Sequence, residues 1–246
     1  MLILNFHGNS LKYIFLVLIF LSVFTPHVGL AQSNQLWLDY MGYPLGGDIN
    51  WDWEINTGYN RLLGKGGWSD FYLNNTFTYQ KIWWLLFDGS FEFHYTRDPE
   101  YFNSIELRPW VMTTARWLTE GEYLNLYYPY FAVLIENRNI YYEDEEPNQH
   151  TFRLRLRAGG KITLNNEKMT VGTVFINFRG EYFTDIGKGV TERFASKHRV
   201  MLGLGYIFTY AFRAEFYYYI HQSRNTYKDE FNTTDNIFSF LVRHYF

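Results

Sequence analysis

Residues 152–158 read Phe-Arg-Leu-Arg-Leu-Arg-Ala, apolar at every even position and arginine at every odd one. A period of two is the mark of a β-strand with one apolar and one wet face. Phe152, Leu154, Leu156 and Ala158 therefore share the apolar face, and Arg153, Arg155 and Arg157 the other. Segments of the same kind lie on both sides of this one.

Towards the N-terminus, Leu85, Phe87, Phe91, Phe93 and Tyr95 oppose Asp88, Ser90, Glu92, His94 and Thr96. Before that, Phe71, Leu73, Phe77 and Tyr79 oppose Tyr72, Asn74, Thr76, Thr78 and Gln80. Earlier still, Trp51, Trp53, Ile55, Thr57 and Tyr59 oppose Asp52, Glu54, Asn56, Gly58 and Asn60. Towards the C-terminus, Val174, Ile176 and Phe178 alternate with Asn177, Arg179 and Glu181. Val200 to Tyr206 and Ala214 to Ile220 continue the pattern, with Arg199, Arg213 and Glu215 on the wet side. A soluble sandwich also alternates, but it seldom puts Arg or Glu on each wet face and aromatics on nearly every dry one. The pattern predicts an all-β fold, a transmembrane antiparallel β-barrel.

Composition agrees. Phe, Trp and Tyr make up 22% of the 246 residues, as a barrel wall with amphipathic rings at both membrane boundaries requires. A net charge of −3 argues against a nucleic-acid binder. The absence of Cys excludes disulfides, thiolate metal sites, a cysteine nucleophile and a lipid-modified cysteine anchor.

Residues 1–31 read as a signal peptide: Lys12, an apolar run from Tyr13 to Phe24, Pro26, then small residues up to a cleavage site after Ala31. The apolar run is too short to span a bilayer as a helix. The expected organisation is signal peptide 1–31, an N-terminal segment 32–49 and a barrel over 50–246. Localisation to a bacterial outer membrane follows. Short turns are expected near Gln80–Lys81, Leu118–Glu122, Asn165–Lys168 and Phe208–Ala211. Long outer links are expected at Arg97–Phe102, Glu136–Gln149, Asp185–Ala195 and Gln222–Asp235. Counting back from Phe246 gives ten strands. The strand-like Leu36–Tyr43 makes twelve the second choice, because single-chain bacterial barrels carry even numbers. Phe238, Phe240, Val242, His244 and Phe246 alternate up to an aromatic last residue, resembling the terminal signal read by the outer-membrane barrel assembly machinery.

Trp37, Glu106-Leu107-Arg108-Pro109-Trp110, the run 152–157 and Arg199…Gly203-Leu204-Gly205-Tyr206…Arg213-Ala214-Glu215 resemble the DUF2490 family, Bacteroidetes-type outer-membrane barrels of unassigned function. The resemblance implies location and fold and supplies no catalytic residues.

By parity, Glu54, Glu92, Glu106, Arg108, Arg153, Arg155, Arg157, Arg179, Glu181, Arg199, Arg213 and Glu215 line the lumen, with Asp52, Asp88 and Arg243. Charges in a narrow lumen must pair or stay wet. The first expectation is thus a structural barrel plugged by Arg–carboxylate pairs. The alternatives are a porin-like, anion-preferring channel over Arg153–Arg157 and a lipid-modifying enzyme. For the last, His94 with Ser90 and Glu92, or His198 with Ser196, would supply the base, but no motif links them. The acidic stretch Tyr141–Glu146 matches no calcium loop. No catalytic residue, metal or cofactor is assigned. The expected partners are outer-membrane lipid, lipopolysaccharide and the assembly machinery, with no nucleic acid, and the expected state is a monomer.

Overall fold

The computed structural model describes residues 33–44, 50–64, 67–117, 129–143, 146–186, 195–225 and 230–246. The expected signal peptide and its cleavage site lie outside them. Eleven strands follow one another: β1 (Ser33–Tyr43), β2 (Trp51–Leu63), β3 (Ser69–Ile82), β4 (Leu85–Arg97), β5 (Ser104–Arg116), β6 (Tyr130–Tyr142), β7 (Gln149–Thr163), β8 (Val174–Ile186), β9 (Ala195–Ile207), β10 (Phe212–Asn225) and β11 (Glu230–Tyr245). Sequential neighbours pair antiparallel, and β1 meets β11 to close the sheet.

Eleven corrects the expected ten and twelve. The ten strands from Trp51 onward are present, and Ser33–Tyr43, within the expected N-terminal segment, adds one more. An odd strand in a closed up-and-down sheet must leave one pair of neighbours running the same way. That pair is β1 and β11, in register from Ser33↔Asp235 to Tyr43↔Tyr245. Packing explains why β1 enters the wall. Its inward Trp37 and Met41 cover the buried cluster Met201, Tyr217, Tyr219, Ile237 and Leu241. Its inward Asp39 accepts hydrogen bonds from Tyr72 (2.6 Å) and Ser239 (2.9 Å). β1 hydrogen-bonds to both β2 and β11 and so leaves neither with an open edge.

The connections do not sort into a short and a long set. At the end where Phe246 lies they are 44–50, 83–84, 117–129, 164–173 and 208–211; at the other end they are 64–68, 98–103, 143–148, 187–194 and 226–229. Two of the expected long links are largely strand. β6 continues through Glu136 to Tyr142, and the β10–β11 ladder runs to Asn225↔Glu230. In β6 the polar Glu136 and Arg138 mark an inward face rather than a loop.

The outward face is predominantly apolar. Val111 is 62% exposed, Leu204 53% and Phe91 51%. Exposed Trp51, Trp53, Trp83, Trp84 and Trp117 gather towards the Phe246 end, with Tyr59, Tyr141 and Tyr182 towards the other. Among the described residues, the charged or imidazole-bearing side chains facing out are Arg61, Lys81, Arg97, His150, His198 and His244. Each lies within three residues of a strand end.

Inside, the lumen is filled at the Phe246 end. Phe175 and Ile207 are buried there, as is Tyr217 above them. Two inward glycines of β9 make this possible. A Cβ on Gly205 would lie 2.2 Å from the Phe175 ring, and one on Gly203 2.2 Å from the Tyr217 ring. Both rings occupy space that any larger residue on β9 would take.

Candidate functional site

Above that packed layer runs a belt of ion pairs built from strands β3 to β9. It begins at His94, bracketed by Asp70 (3.0 Å) and Glu92 (2.8 Å). Arg108 lies 3.6 Å from Glu92 and donates to both oxygens of Glu106 at 2.8 and 2.9 Å. Arg138 donates to the same two oxygens at 2.7 and 2.9 Å. Glu106 therefore holds two guanidinium forks, the strongest geometry available to a carboxylate. Next, the fully buried Glu136 pairs with Arg153 and, at 3.1 Å, with Arg155. Period-two alternation makes this belt possible, since each partner stands on the inward face of its strand.

At Glu181 the balance of charge changes. This carboxylate meets Arg155 (3.3 Å), Arg157, Arg179 (3.7 Å) and Arg199 (3.5 Å). One acid thus faces four bases. Aromatic faces take part of the excess: the Phe183 ring lies 4.8 Å from Arg155, 5.3 Å from Arg199 and 5.4 Å from Arg153. Arg199 also lies 5.1 Å from the Trp37 ring. A smaller set sits nearer the Phe246 end, where Arg243 pairs with Glu215 and the Tyr43 hydroxyl, and Tyr217 donates to Glu215.

A cavity of about 560 Å³ lies in the lumen beside the belt. Its lining rises to Trp68, Asp98, Tyr101, Phe102 and Tyr142, at the end away from Phe246. In the other direction it stops at Glu54, Asp88, Met112 and Arg243, short of Asp52, Arg116, Lys161 and Tyr245. Among the described residues the lining of this cavity does not reach the Phe246 end.

The structure puts the residues expected from parity at these positions. Glu54, Glu92, Glu106, Arg108, Arg153, Arg155, Arg157, Arg179 and Arg199 line the cavity. Glu181 and Glu215 are buried behind arginines. Arg213 lies towards the Phe246 end, 4.7 Å from the Tyr245 ring. Parity reasoning missed Glu136 and Arg138, because Glu-Asn-Arg-Asn resembles a loop. The signal was there: Leu134, Glu136, Arg138 and Ile140 share one parity. It also passed over Asp70 and Asp39, inward acids in segments whose other inward residues are mostly neutral.

Of the candidate Ser–His pairs, Ser90 and His94 do not bond each other, and the Ser196 side chain lies outside the described ones. The Ser90 hydroxyl bonds Asn74, Thr76 and the Asn75 carbonyl, while the His94 nitrogens face Asp70 and Glu92. His198 stands on the outer wall, 5.2 Å from the Tyr182 ring. No group of three or more His, Cys, Asp or Glu able to hold a metal occurs among the described residues. In the stretch Tyr141–Glu146, residues 144–145 lie outside the description.

A family model described as a protein of unknown function, DUF2490, matches residues 34–232, from within β1 into β11. The chain belongs to the DUF2490 family. No curated protein and no solved structure matches it. The match runs from β1 through β10 and stops at the start of β11, so the belt and all but the first residue of β1 lie within the DUF2490 region. In this DUF2490 barrel, the quoted Gly203 and Gly205 admit two lumen-filling rings, and Arg108 and Arg199 are members of the belt.

Proposed function

We propose that the chain is an integral outer-membrane barrel of structural role, whose lumen is closed by its own side chains. The observation that carries this reading is the outward wall. Among the described residues charge on that wall is confined to the strand ends, the middle is mostly aliphatic and aromatic with Asn75, Asn137 and Asn139 as polar interruptions, and exposed tryptophans collect towards one end. In water such a wall would be an apolar patch far larger than soluble monomers present; in lipid it matches the band of an outer-membrane barrel. A signal peptide over 1–31 and the aromatic end of β11 supply export and assembly in this reading, with lipid and lipopolysaccharide as surroundings and a monomer as the working state.

Closure of the lumen is supported by the packed layer of Phe175, Ile207 and Tyr217 and by the belt above it. An anion-preferring channel would need that layer to move. Membrane fractionation tests the location. The protein should resist carbonate extraction in the outer-membrane fraction and migrate differently on gels before and after boiling. A carbonate-soluble protein with no heat-dependent shift would refute it.

A further inference from the structure

We propose that Arg155, Arg157, Arg179 and Arg199 form a binding site for a compact, multiply charged oxyanion: a phosphate, or the phosphomonoester end of a larger molecule. This goes beyond a closed structural barrel and does not depend on where the barrel resides.

Charge comes first. The four guanidinium groups surround the single carboxylate of Glu181. Arg155 also shares Glu136 with Arg153, whereas Arg157, Arg179 and Arg199 have Glu181 as their ion-pair partner among the described residues. Two of those three reach it only at 3.5 and 3.7 Å, beyond good hydrogen-bond length. Clustered like charges in a confined space are unfavourable unless a counter-charge joins them.

Unused donors come second. The buried Nε atoms of Arg155, Arg179 and Arg199 form no hydrogen bond among the described residues. Buried polar atoms are nearly always satisfied, so these donors are available to an acceptor that the protein's own described residues do not supply. Space comes third: all four arginines line the 560 Å³ cavity, a volume within the range of small-ligand pockets.

The chemistry of the ligand follows from the donors. Planar guanidinium forks pair with oxyanions through two parallel bonds. A tetrahedral phosphate can accept from several forks at once and carries about two negative charges near neutral pH. Chloride offers one charge and no directional acceptors. The cavity lining reaches Trp68, Tyr101 and Phe102 at the end away from Phe246, and this is the side from which the anion enters.

The test is calorimetric titration of the purified, detergent-folded full chain with inorganic phosphate in chloride buffer, with dihexanoyl phosphatidic acid as a second arm. Saturable 1:1 phosphate binding is expected. Arg179→Gln and Arg199→Gln should each weaken it by about tenfold or more, while Arg61→Gln on the outer wall leaves it unchanged. Glu181→Gln removes the competing carboxylate and should tighten it. Tighter binding in the phosphatidic-acid arm would identify a lipid source, and tighter binding of inorganic phosphate a soluble one. Absence of saturable binding to wild type in both arms would overturn the proposal, as would equal loss in Arg61→Gln. If the arginine variants fail to fold, Glu181→Gln still decides: a variant that folds but binds no more tightly refutes the site. Phosphate binding by a carbonate-soluble protein would keep this inference and remove the membrane reading.

Discussion

Replacing Glu136 by Gln keeps the volume of the side chain and removes its charge. Glu136 is fully buried and lies between Arg153 and Arg155, the latter at 3.1 Å. At an effective dielectric of about 20, one such pair is worth about 5 kcal/mol in gross attraction. Most of that offsets desolvation in the intact protein. The variant leaves two guanidinium groups short of a counter-charge, and breaking a buried pair in this way costs about 3–5 kcal/mol. The assay is urea unfolding of the detergent-folded barrel, followed by tryptophan fluorescence. With a slope of about 2–3 kcal/mol per molar urea, the midpoint should fall by about 1–2.5 M. A double-mutant cycle with Arg153→Gln should return a coupling of about 1–3 kcal/mol. A Glu136→Gln midpoint within about 0.3 M of wild type would refute the reasoning, because it would mean that the lumen is wet enough to hydrate the arginines.

Three further outcomes are expected. Gly205→Ala drives a methyl group into the Phe175 ring and should cost about 1–3 kcal/mol; adding Phe175→Leu should recover part of it in the same unfolding assay, and no loss in the single variant would contradict the packed layer. Val111→Arg puts a charge in the middle of the outward wall and should lower stability in lipid vesicles by about 2–4 kcal/mol, with little change expected if that wall faces water. Leu38→Cys with Phe240→Cys places two thiols at paired positions of β1 and β11 in a chain with no other cysteine. Oxidation should link them, since neighbouring strands lie within disulfide reach; failure to cross-link would remove β1 from the wall.

The wall was legible because alternation is a local property. Each of Arg153, Arg155 and Arg157 could be assigned to the lumen from its neighbours alone. Strand number was not, since it depends on whether Ser33–Tyr43 finds a partner. That partner, β11, is 202 residues away in register, and nothing local in Leu-Trp-Leu-Asp-Tyr specifies it. Glu136 and Arg138 escaped for a related reason. Their strand carries asparagines on its outer face at positions 137 and 139, so the contrast between faces vanishes where the belt is most buried. The convergence of four arginines on Glu181 was also out of reach. It joins β7, β8 and β9, and parity names a face without saying which strands stand side by side.

The closed lumen is tested most directly by single-channel recording on protein whose insertion into vesicles has been verified by flotation, before fusion to a planar bilayer. A silent bilayer, for wild type and for Arg155→Glu alike, is the predicted result. A steady conductance whose ion preference reverses in Arg155→Glu would contradict the account and establish an open, arginine-lined pore.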